Sequence, residues 1–234
     1  MNPVRIISVL LLIFRFTLTV SASDELWFRA MNHADPIKAD KAASMVMETY
    51  ERDNDGAETA GTLMVFAWEE QLGDYELVSA VENGKDVTKR EQRRLEREDD
   101  RNGPSYAHQI FNPDKAAGLT LTPRTSTAVV DGNECRIYDF VFKDEWPMGA
   151  GKPKPVTEEG TVFIDVENGM PLRLESRLTE GPDLIVSYEY RMNAASGSDG
   201  SWRLEDLSMD FVGRMLITRA GGFRMRFNYG EGSS

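Results

Sequence analysis

The 234 residues hold 39 acids against 27 lysines and arginines, a net charge of −12, which excludes a broad basic surface for nucleic acid. A single cysteine, Cys135, excludes an internal disulfide, so the fold must stand on its apolar core. The length suits one β-rich domain of roughly 200 residues once a leader is set aside.

The leader comes first in the chain. Arg5 supplies a basic start, Ile6 to Phe14 is a short apolar run, and Val20-Ser21-Ala22-Ser23 offers the small residues that a signal peptidase cuts. Arg15 interrupts the run, which is too short for the roughly 20 residues of a membrane span. We expect residues 1–23 to be a cleaved signal peptide and residues 24–234 a single exported domain, with no cysteine near the cut for lipid attachment.

From Asp24 to about Ala43, Leu26, Trp27, Ala30 and Met31 recur at helical spacing. Asp35-Pro36 then reads as an N-cap followed by a proline at the first helical position. After Ala43 the period changes to two. Met45, Met47 and Thr49 lead into Asp53-Asn54-Asp55-Gly56, a hairpin signal, and Thr62 to Trp68 returns as a strand apolar on both faces. Tyr75 to Val81 is a further strand closed by Asn83-Gly84. Lys89 to Arg101 breaks the β pattern: it is charged nearly all round, with Leu95 as its lone apolar anchor, and predicts a solvated helix.

Strands resume at Leu119 to Leu121 and at Thr127 to Val130. Asp131-Gly132 turns the chain into Cys135 to Lys143, where Tyr138, Phe140 and Phe142 share a face. Trp146 to Pro155 is a Pro/Gly/Lys loop that cannot continue a sheet. Five strands follow, at Val156 to Val166, Pro171 to Thr179, Asp183 to Met192, Ser201 to Val212 and Ala220 to Tyr229. Leu172, Leu174 and Leu178 alternate with Arg173, Glu175 and Arg177, and Phe223, Met225 and Phe227 alternate with Arg224 and Arg226. Such alternation predicts a mainly β (α+β) fold, a continuous antiparallel sheet with one apolar face and one charged face. The apolar face must be covered by a second sheet, by helices or by a ligand.

Motifs for chemistry are sparse. His33 and His108 lie far apart and in no metal-ligand spacing. Cys135 sits in a β pattern beside Arg136 and reads as a small buried thiol. Glu51 to Thr62 is similar to a calcium loop at Asp53, Asp55 and Gly56, yet Thr62 stands where a bidentate glutamate is required. There is no nucleophile elbow or phosphate-cradling loop, and no spacing selects a carboxylate pair. We therefore expect neither catalysis nor a metal or cofactor.

The stretch Glu159-Gly160-Thr161-Val162-Phe163-Ile164-Asp165-Val166-Glu167-Asn168-Gly169-Met170-Pro171-Leu172-Arg173 resembles the Gly-x-x-x-Ile-Asp strand and Asn-Gly-x-Pro corner of the periplasmic outer-membrane lipoprotein-sorting (lipoprotein carrier) proteins. Asp131 to Tyr138 is similar to the strand before that hairpin, and the resemblance is strongest from Asp131 to Tyr190. It implies a curved antiparallel sheet forming an incomplete β-barrel, partly closed by short helices, whose cavity holds acyl chains. Lys89 to Arg101 and Trp146 to Pro155 depart from the general carrier, and its lid-locking arginine has no assigned counterpart here.

Together, the leader, the apolar face and the resemblance predict a monomeric periplasmic carrier for acyl chains of a lipoprotein or lipid, with an inner-membrane transporter or an outer-membrane acceptor as further partner. The expected cavity residues are Phe66, Trp68, Phe140, Phe142, Leu174, Val186, Tyr188, Met209, Phe211, Met225 and Phe227. A one-residue slip in register would exchange the faces. The alternative is an envelope protein-interaction or stress-sensing module tied to a membrane transporter, with the apolar face filled by its own helices and Lys89 to Arg101 carrying recognition.

Overall fold

The computed structural model describes residues 22–35, 40–53, 57–59, 61–98, 108–146, 152–182, 185–197, 200–214 and 218–229. Helix α1 (Ala22–His33) precedes strands β1 (Ser44–Arg52), β2 (Thr62–Glu69), β3 (Asp74–Glu82) and β4 (Lys85–Asp86). Helix α2 (Thr88–Glu98) and the 3-10 turns η1 (Gln109–Phe111) and η2 (Pro113–Gly118) lead to β5 (Leu119–Val130), β6 (Asn133–Trp146) and β7 (Lys154–Asp165). Strands β8 (Pro171–Glu180), β9 (Ile185–Ser196), β10 (Trp202–Arg214) and β11 (Thr218–Asn228) complete the order.

Tight turns account for the up-and-down path. Asn83 and Gly84 have φ of 51° and 75°, and Asp131 and Gly132 have 48° and 87°, the positive pairs that two-residue hairpins need and that Asn, Asp and Gly best tolerate. The result is two meanders, β1 to β4 and β5 to β11, joined where β1 pairs with β11. They form one open antiparallel sheet of 11 strands in the order β4-β3-β2-β1-β11-β10-β9-β8-β7-β6-β5, an incomplete barrel partly closed by short helices. Bulges at Val65/Phe66, Phe163/Ile164 and Val212/Gly213 add local bend and twist.

The two faces separate by parity. One register row runs Tyr138, Val162, Leu174, Met192, Leu207, Met225, Met47, Met64, Ala80 and is apolar throughout. The row beside it, on the other face, runs Thr161, Glu175, Arg191, Ser208, Arg224, Glu48 and then Leu63 and Val81. Helices cover the apolar face in two places. Leu26, Trp27, Ala30 and Ala34 with Ile110 and Phe111 of η1 fill the main core, where the Trp27 ring lies 5.7 Å from Phe111 and 6.2 Å from Tyr138. A second core of Met64, Phe66, Leu77 and Ala80 receives Val87 and Leu95.

Several expectations change. The helix expected to Ala43 ends at His33. The two short strands expected at residues 119–121 and 127–130 are one edge strand, irregular between Pro123 and Thr127, because proline has no N–H to donate and is tolerated at an edge. The loop expected from Trp146 to Pro155 is shorter, since Trp146 pairs with Lys154 and Glu145 with Pro155 at the β6–β7 end, where a proline can open a strand. Helix α2 is more than a solvated excursion. Besides Leu95 it buries Glu91, which pairs with Arg90 and Arg94, and its Gln92 Nε2 donates to Leu77 O at 3.2 Å. Ala80 N donates to Thr88 Oγ1 at 2.9 Å, so α2 occupies backbone groups of β3 beyond its short partner β4. The leader before Ala22, Pro36, most of the Asp53-to-Gly56 turn and residues 147–151 lie outside the described residues.

Gly222 marks where the sheet tolerates no side chain. A Cβ there would collide with Met209 O and lie 2.6 Å from the Tyr50 hydroxyl. Gly222→Ala should lower the urea midpoint, with a loss of about 1–3 kcal/mol typical of overpacking; an unchanged midpoint would show that the β10–β11 pair yields freely.

Candidate functional site

The two cores meet at the β1–β11 pair. Met45 and Met47 pack against the second core, while Phe223, Met225 and Phe227 pack against the main one. Across the junction Met45 faces Phe227 and Met47 faces Met225. All five are half-buried, whereas Leu174, Met192 and Met64 in the same sheet are at most 1% exposed. Half-buried Met209 stands opposite Phe223, and Phe211, beyond it on β10, is 41% exposed. The helical side chains of the two cores belong to one side or the other, which leaves an apolar seam between them.

The expected cavity residues divide across this arrangement. Phe140, Phe142 and Leu174 are buried in the main core, and Phe66 is buried in the second. Trp68 is half-buried against Tyr75, with ring centroids 5.1 Å apart. Met209, Met225 and Phe227 lie in the seam, with Phe211 at its exposed end. Tyr188 stands opposite Phe211 and meets the Trp146 ring edge-on at 5.7 Å. Val186 is 52% exposed, at a register shift between β9 and β10.

A buried polar cluster lies beside Tyr190 on the apolar face, and sequence reasoning missed it. His108 caps η1: its Nδ1 accepts the Ile110 N–H at 3.3 Å, which leaves Nε2 as the donor to Glu158 Oε1 at 2.9 Å. Ser176 Oγ donates to the same carboxylate oxygen. The Tyr190 ring stacks edge-on to His108 at 4.7 Å. Burial drives the Glu158 carboxyl upward, but the His108 and Ser176 contacts outweigh it and hold the carboxyl below its ordinary value. Burial, assisted by the Glu158 charge, pushes the Tyr188 and Tyr190 hydroxyls well up. One signal was available: in Val156, Glu158, Gly160, Val162, Ile164 an acid occupies the inward parity of β7.

Elsewhere the chemistry is structural. Cys135 is fully buried and its thiol is pushed up to about 11, chiefly by burial and then by the Asp165 charge, so it is no ready thiolate. A hollow of about 580 Å³ is lined by Asp139, Glu159, Glu175, Arg177, Glu189 and Arg191 together with Phe140, Val141 and Tyr190. A wholly apolar guest there would desolvate charged side chains without pairing them. No group of three His, Cys, Asp or Glu among the described residues could hold a metal ion, and no described helix is long and apolar enough to cross a membrane.

His108→Ala would remove one of the two donors on a buried carboxylate and should cost at least about 2 kcal/mol, since hydrogen bonds to charged groups are the costly ones to lose. The lowered Glu158 value also sets a sign. Its contribution to stability is complete above about pH 5 and is lost as pH falls through the folded value. Urea midpoints should therefore fall more steeply on acidification in the wild type than in Glu158→Gln; parallel profiles would show that Glu158 is not held as a carboxylate.

No protein-family model matches the chain, and no curated protein matches it. Among solved structures it is similar to the crystal structure of a "putative outer membrane lipoprotein-sorting protein domain" from Vibrio parahaemolyticus. The two align over 88% of this chain and 94% of that one, at 10% identity and a TM-score of 0.33.

Proposed function

We propose that the protein is a non-catalytic carrier, exported to the periplasm as a monomer by the 1–23 leader, that holds acyl chains of a lipid or lipoprotein along the β10–β11–β1 seam. The observation that carries this reading is the row of half-buried Met45, Met47, Met209, Phe223, Met225 and Phe227, placed where neither helical plug completes the core. Shielding each methylene from water is worth about 0.8 kcal/mol, so such a strip can hold a chain without covalent chemistry. Thioethers and aromatic rings adapt to guests of variable shape. In this reading Phe66, Phe140, Phe142 and Leu174 support the wall from within, and the guest touches the half-buried residues. An inner-membrane transporter or an outer-membrane acceptor would load or unload it by favouring one conformation over the other.

Protein purified without detergent should show adducts of lipid mass in native mass spectrometry, removed by organic extraction, and should take up added phospholipid. The double variant F211D/F227D should keep its β circular dichroism and lose uptake by more than about tenfold, because an unpaired carboxylate is costly in an apolar contact. A clean mass with no uptake by the wild type would remove the carrier reading and favour the protein-interaction module.

A further inference from the structure

Glu158 is an unexpected residue for a face devoted to apolar contacts. Only 7% of its side chain is exposed, and both of its hydrogen bonds, from His108 and from Ser176, end on Oε1. Oε2 makes none. Nor is Oε2 sealed in: the only side-chain polar atom among the described residues that is both closed off from solvent and without a partner is Arg136 Nε. The second oxygen of a carboxylate held in ionised form is thus without a partner among the described residues and is not fully closed off. Glu158 stands opposite Phe142 on β6 and Leu178 on β8, and the charge of Glu158 reaches Tyr188 on β9. Phe142 is buried, whereas Leu178 and Tyr188 are half-buried and Phe211, opposite Tyr188, is exposed. Across the sheet from Glu158, cover therefore thins from buried Phe142 to exposed Phe211, toward the Phe211 end of the seam.

A purely structural role would be served by a neutral acceptor. Ser176 and the His108 Nε2–H need one oxygen between them, and burying a full charge to provide it carries a large desolvation cost. A carboxylate with one oxygen saturated and the other open is a receptor for a hydrogen-bond donor, and its charge rejects anions.

We propose that Glu158 Oε2 receives the polar end of the seam's guest, and that this end is a hydrogen-bond donor, most strongly a protonated amine, rather than a free carboxylate. This rests on the carrier reading: the apolar chain lies along the seam from Phe211 toward Phe227, with the donor turned inward past Tyr188 to Glu158. The chain supplies affinity in proportion to its length, and the carboxylate selects among guests whose chains are equal.

The test compares dodecylamine, dodecanol and dodecanoate as displacers of an apolar fluorescent probe from the wild-type full-length protein and from Glu158→Gln at neutral pH. Glutamine keeps an Oε1 acceptor for His108 and Ser176 and removes the charge. The wild type should bind the amine about tenfold more tightly than the alcohol and the carboxylate most weakly, as a charge-assisted hydrogen bond predicts. In Glu158→Gln the amine should fall to the level of the alcohol. If all three bind the wild type alike, or the variant keeps the wild-type order, the Glu158 proposal is overturned and the carrier reading stands. If none binds, the carrier reading itself fails and takes this proposal with it. Where the variant does not fold, the wild-type series repeated at high salt decides: an amine preference that survives screening belongs to the buried carboxylate, and one that vanishes is the field of the acidic surface and overturns the proposal.

Discussion

The architecture depends on one pairing, β1 with β11, in unbroken register from Ser44 opposite Asn228 to Arg52 opposite Ala220. Without it the chain is two separate meanders, one of which, β1 to β4, owns only the small core of Met64, Phe66, Leu77 and Ala80. The charged face reinforces the same junction. Tyr50 lies over Gly222 and donates to Asp210 at 2.6 Å, Arg52 pairs with that carboxylate at 2.6 Å, and Arg224 sits 4.4 Å over the Tyr50 ring while pairing with Glu58. Glycine at 222 leaves room for the ring that bridges β1 to β10. The junction is therefore held by aromatic and ionic contacts on one face, and its other face is free to be apolar without being closed.

That freedom explains the uneven cover of the apolar face. Strands β4 and β5 are the two edges of the sheet, so the chain between them must span its width. The described parts of that connection that enter a core, α2 against β3 and η1 in the main core, cover the two ends rather than the middle. Helix α1 adds Trp27 to the same end as η1. Apolar surface left half open costs about 25 cal/mol for each Å² still in contact with water. A fold that fills its flanks with Trp27, Phe111 and Leu95 yet leaves methionines at the junction retains that cost where a guest could remove it.

Legibility followed the range of the interactions involved. Local signals placed the strands well: Asn83-Gly84 and Asp131-Gly132 impose their turns from within, and the alternation of Leu172 and Leu174 with Arg173 and Glu175 fixes a face. Parity is a property of one strand, so the inward set was readable. Which inward residues stay open was not, because that depends on whether α1, η1 or α2 lands on them. Phe140 and Met225 illustrate the point: both are inward by parity, but one lies under the main core's helical cover and the other in the seam. Leu95 alone did not announce that Gln92 and Thr88 would bind the edge of β3. The link between His108 and Glu158 spans 50 residues and follows no spacing rule, so only the acid at an inward position hinted at it.

Apolar contacts and the buried carboxylate solve different problems. Dispersion and hydrophobic burial discriminate poorly among chains, since adding or removing a methylene changes binding only modestly and methionine repacks around the difference. Discrimination comes from a polar group that is left unpaired by the wrong guest. In this fold such a group can be kept ionised only because His108 and Ser176 hold one oxygen, and His108 can do so only because its other nitrogen caps the turn that carries Ile110 and Phe111 into the main core. The anchor of the carboxylate is thus the anchor of the plug. A change that loosens η1 would disturb both the packing around Trp27 and the ionisation of Glu158, which ties the selectivity of the proposed site to the integrity of the core beside it.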